Sequence, residues 1–181
     1  MQKHQMIAQD SFLEVLSASG RSPEISPADD VYGWLIGAWD LDIVINDGSG
    51  HKHQSQGEAH FAWVLEGRAV QDVWINPRRE DRASYTGLAA ANMYGTTLRV
   101  YDPSWKAWKV TWTNPVTGAK DELIGRWHGD DIVQEGTNAA GGTIRWSFLN
   151  IKSESFRWLG ELQLADGSWF VQADRQARRR R

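Results

Sequence analysis

His60, Asp72 and His128 are the candidate catalytic residues of this chain. Asp72 alternates with Val70 and Trp74, so it shares an aromatic face of its strand. A carboxylate on such a face must pair, accept hydrogen bonds or stay protonated. Arg99 lies on a later strand, on the side it shares with Thr97 and Tyr101. An Asp72–Arg99 pair would settle both charges, or would anchor a ligand's carboxylate, phenol or carbonyl. Imidazole is the side chain best suited to proton transfer near neutral pH. Glu58 and Gln71 fall on the face of His60, and Glu122 on that of His128. Inside a cavity, a histidine–carboxylate couple could act as a general base for cyclisation or enolisation. The plainer roles are a structural ion pair and surface histidines.

Other chemistries find no foothold. His51 and His53 alternate on a strand without a third ligand, so no metal site is expected. There is no phosphate-binding loop, dinucleotide fingerprint, nucleophile elbow or HExxH pair. No histidine is marked as a haem ligand. No cofactor is expected.

The elements that position these residues are strands. Ten runs of alternating or β-rich sequence lie near 38–46, 53–65, 68–76, 93–101, 106–114, 120–128, 131–137, 142–150, 154–164 and 168–175. Short turns separate nearly all of them, among them Asn46-Asp47-Gly48, Asp102-Pro103-Ser104 and Asp166-Gly167. Sequential strands then pair antiparallel, and about ten can close into an up-and-down barrel that has no edges. The expected fold is therefore all-β, an antiparallel barrel with one or two short N-terminal helices. The first helix is expected over 7–18 and the second from a Ser26 cap with Pro27 at its first position. The long connection 77–92 suits a lid or binding loop.

Eleven tryptophans are far more than 181 residues need. A two-residue turn at Glu66-Gly67 would place Leu65 opposite Arg68, Trp63 opposite Val70, Phe61 opposite Asp72 and Ala59 opposite Trp74. The same alternation gives interior faces of Trp108, Val110 and Trp112; of Ile144, Trp146 and Phe148; and of Phe156, Trp158, Leu162 and Leu164, continued by Trp169 and Val171. The expected ligand-binding set is Trp63, Asp72, Trp74, Arg99, Tyr101, Trp112, Trp146 and Trp158. Such a lining suits one flat, apolar or aromatic molecule.

Gly37-Ala38-Trp39, a GxW at the first strand, resembles the entry of lipocalins and related calycin barrels. Glu66-Gly67-Arg68-Ala69, Val100-Tyr101-Asp102-Pro103 and Trp105 to Trp112 resemble a group of uncharacterised bacterial lipocalin-like proteins over roughly 30–175. The resemblance implies a barrel that binds a small hydrophobic molecule. The alternative is a cofactor-free lyase, isomerase or cyclase acting on an aromatic or polyketide-like substrate in the same cavity.

The domain reading is an N-terminal helix and loop over 1–25, a barrel over 26–175 and a basic tail over 176–181. Formal charge is −3, and five of the 20 basic residues are Arg175 and Arg178 to Arg181. The remaining 15 face 23 acidic residues, so the body is acidic and no nucleic-acid partner is expected. The Arg-rich end reads as frayed and solvated. No run reaches the roughly 18 apolar residues of a membrane span. Without cysteine or a recognisable signal peptide, the cytoplasm is the expected location. Val64, Val73 and Ile75 on the second face of the hairpin would suit a homodimer contact.

Overall fold

A computed structural model describes residues 11–87 and 91–181. Ten strands form one closed antiparallel barrel: β1 (Gly37–Asn46), β2 (Lys52–Val64), β3 (Ala69–Asn76), β4 (Met93–Asp102), β5 (Ala107–Asn114), β6 (Ala119–His128), β7 (Asp131–Thr137), β8 (Thr143–Lys152), β9 (Ser155–Gln163) and β10 (Trp169–Arg179). Each strand pairs with its sequence neighbours, and β1 pairs with β10 to close the wall. Among the described residues, no helix is long and apolar enough to cross a membrane.

Alternation sets the register. Phe61 pairs with Asp72, Trp63 with Val70 and Ala59 with Trp74, as the sequence predicts. The turn itself differs. Leu65, Glu66 and Gly67 all have positive φ, and four residues connect Val64 to Ala69. One extra turn residue on each side preserves the pairs, while Leu65 leaves the sheet and becomes exposed.

One end of the barrel is plugged. Ser26 caps a 3-10 turn over Pro27–Asp29, its hydroxyl accepting from the Asp29 amide at 3.2 Å. A second 3-10 turn, Gly33–Leu35, follows. Between them they insert Tyr32 and Leu35, both fully buried, against Trp39, Trp108, Phe148 and Phe156. Tyr32 meets Trp108 edge-on at 5.2 Å between ring centroids, and Trp39 meets Phe156 at 4.8 Å. Gly125 makes room for this plug, since a Cβ there would lie 2.0 Å from the Tyr32 hydroxyl.

Residues 11–16 are helical and lie outside the barrel; the rest of the expected 7–18 helix falls partly outside the described residues. The chain then runs along the β2–β3 turn, where the Leu65 amide donates to the Leu16 carbonyl and the Ala18 amide to that of Trp63. Val64 and Ile75, from the strip expected to serve a second copy, are buried within this chain.

Two expectations are corrected. The end read as a frayed tail is ordered wall. Arg179 stacks over Trp39 at 4.1 Å and donates to the carbonyls of Ile36, Trp34 and Ser153, each at 2.8 Å. Arg180 pairs with Asp40 and Glu58, and Arg178 with Asp42. These carbonyls and carboxylates at the closed end give the arginines partners that composition alone does not reveal. The second correction concerns Trp169 and Val171. A bulge between Val171 and Ala173 shifts the register, so Trp169 lies outside, stacked on Arg145 at 4.1 Å.

Candidate functional site

The unplugged end opens into a cavity of about 680 Å3. Its wall is aromatic. Trp74 lies 5.8 Å from Trp158, Trp158 lies 5.6 Å from Trp146, and Trp146 meets Trp112 edge-on at 6.4 Å. These four rings come from β3, β5, β8 and β9, each placed inward by the period of its strand. Gly95 on β4 gives one of them space, since a Cβ there would lie 2.4 Å from the Trp112 ring. Ile45, Met93, Ile144 and Ala173 add to the apolar part of the lining.

The expected ligand set divides by depth. Trp74, Arg99, Trp112, Trp146 and Trp158 line the cavity. Trp63 and Tyr101 also belong to the interior, but they sit nearer the plug, where both pack against Trp108. Asp72 lies behind Arg99. Its carboxylate pairs with the Arg99 Nη1, and its other oxygen accepts from the Thr97 amide at 2.7 Å. Arg99 is caged as well, 5.0 Å from the centroid of Tyr32 and 5.7 Å from that of Phe61. Gln134 joins the group by accepting from Tyr32 at 3.0 Å. Burial pushes the Tyr32 phenol well above its usual range, with Arg99 opposing. Arg99 and Asp72 thus form a closed floor whose charges are mutually satisfied.

The histidines stand elsewhere. His60 points out of the barrel, with its Nε2 2.9 Å from Glu58 Oε2. Glu58 is 3% exposed on that outer wall, held by Arg79 and Arg180 as well. His128 is exposed at the end of β6. Of His60, Asp72, Arg99, Tyr101 and His128, only Arg99 lines the cavity. No cluster of three metal-ligating side chains occurs among the described residues. The long connection contributes Ala91 to the lining. Its 3-10 turn, Arg79–Ser84, is fastened by Arg82 to the carbonyls of Asn76 and Met93 and to the Asn92 side chain.

Arg175 and Asp121 are among the polar lining residues that the sequence does not single out. Arg175 on β10 projects inward between Ala173 and Ala177, 9% exposed, its guanidinium 4.2 Å over Trp158 and 5.5 Å from Trp74. Its Nε has no hydrogen-bond partner, and it forms no salt bridge among the described residues. Burial pushes it down to about 10, against the pull of Asp174. The Ala-Asp-Arg-Gln-Ala alternation was the available signal, hidden by the Arg-rich run that follows. Asp121 on β6 faces in near the mouth, where burial raises its carboxyl.

The chain matches no protein-family model and no curated protein sequence. Among solved structures its barrel is similar to the crystal structure of Rv2717c from M. tuberculosis, with a TM-score of 0.58. The alignment covers 87% of this chain and 99% of that one, at 14% identity. The likeness is one of fold.

Proposed function

We propose that this lipocalin-like barrel binds one small, flat, aromatic molecule in its open cavity. The arc of Trp74, Trp112, Trp146 and Trp158 carries the reading. Four indoles around an open space offer both faces and edges to a planar guest. The volume also falls among ligand pockets, which span about 300–1,000 Å3. The plug at the opposite end leaves the unplugged end for entry.

The cofactor-free enzyme reading has less support. His60, Asp72 and His128 do not line the cavity, and a general base must reach its substrate.

Titration with a neutral planar probe, 2-naphthamide, tests the proposal. Saturable, one-to-one quenching of tryptophan fluorescence is expected, weakened about fivefold by Trp146→Ala, the size of one lost aromatic contact. Quenching that never saturates, or that ignores Trp146→Ala, would overturn it. Native mass spectrometry of protein purified from its own cells should then show the natural guest as a discrete added mass.

A further inference from the structure

We infer that Arg175 is an anion anchor, and that the molecule the cavity takes is an aromatic carboxylate. The inference rests on the cavity being a binding site, as proposed above. The interior holds two buried arginines in opposite situations. Arg99 is neutralised by Asp72. Arg175 is buried to 9% exposure, has an unpartnered Nε and has no carboxylate beside it on the inner face. Its neighbour in sequence, Asp174, is bound by Arg157 at 2.8 Å through the outer face. A buried cation without a partner is costly, and such a cost is relieved by whatever brings the opposite charge.

The geometry favours a planar anion. The guanidinium carbon lies over the Trp158 ring, 4.2 Å from its centroid. In its plane a guanidinium carries a fork of N–H donors that matches the two oxygens of a carboxylate. Trp74 and Trp158 both approach this guanidinium and both line the cavity. A carboxylate on Arg175 therefore brings its aromatic body against the same rings. Asp121 sets the opposite charge preference near the mouth, which disfavours a second anionic group at that end. The guest this describes is a monocarboxylate with its acid group inside and its neutral end at the mouth.

The test compares 2-naphthoate with 2-naphthamide, which share one shape and differ in charge. Calorimetric titration of the wild-type protein at neutral pH should show the acid binding at least about tenfold tighter, because charge-assisted hydrogen bonds are the stronger kind. Arg175→Met should erase that preference while keeping affinity for the amide, and Arg175→Lys should restore part of it. Equal wild-type affinity for both probes would overturn the anchor and leave the aromatic cavity standing. Loss of binding for both probes would overturn the cavity reading, and the anchor with it. The wild-type comparison decides the matter even if Arg175→Met fails to fold.

Discussion

Asp72 and Arg99 meet on neighbouring strands without being paired in register: Asp72 lies opposite Thr97, and Arg99 opposite Val70. The ion pair is therefore diagonal, and the carboxylate uses its second oxygen on the Thr97 amide. Both side chains are almost wholly removed from solvent. Removing one partner strands the other charge. Arg99→Met is expected to destabilise the fold by about 3–5 kcal/mol. Changing both, Arg99→Met with Asp72→Asn, should cost less than Arg99→Met alone. Chemical denaturation of the two variants beside the wild type would check this.

The plug and the wall are joined through Tyr32 and Gly125. Tyr32→Phe loses the hydrogen bond to Gln134 and should cost about 0.5–1.5 kcal/mol. Gly125→Ala should cost more, because its methyl would overlap the Tyr32 hydroxyl. The two changes should not add. With the hydroxyl gone the methyl has more room, so Gly125→Ala should be milder in the Tyr32→Phe background. A double-mutant cycle in urea would reveal the coupling, and strict additivity would argue against the contact.

Acid should loosen the outer wall at Glu58. Burial pushes its carboxyl up, but hydrogen bonds from Arg79, His60 and Arg180 outweigh that and hold it well below its ordinary value of 4.5. A carboxyl lowered in the folded state contributes stability above that ordinary value, and the contribution is lost as pH falls below it. Thermal unfolding should therefore show stability dropping below about pH 4.5. Glu58→Gln should be less stable than the wild type at neutral pH and lose less on acidification.

Much of the barrel was legible because strands alternate and turns announce themselves. The strand that carries Trp63 and the one that carries Trp74 could be paired residue by residue from the sequence. Alternation reports which face a residue occupies but not its height along the barrel. For that reason the strand period places Trp63 and Tyr101 with the rings that line the cavity, although they pack near the plug. Trp169 departs from the strand period for a different cause. The bulge beside Gln172 inverts the faces of β10, yet Phe170-Val171-Gln172-Ala173 contains no glycine or proline to mark it. Arg175 was hidden by its neighbours, since five arginines within seven residues look like solvated charge until the wall closes around one of them.

The seam between β1 and β10 joins the two ends of the barrel in time as well as in space. On a ribosome, β1 can pair with β2 as soon as both have emerged, but its other edge waits for β10. Until Arg179 reaches Trp39 and the carbonyls beside it, the nascent barrel is an open, curling sheet with an unpaired border. Such borders invite pairing with other chains. Pairing of β10 with β1 thus removes both borders at once and turns a sheet into a closed vessel.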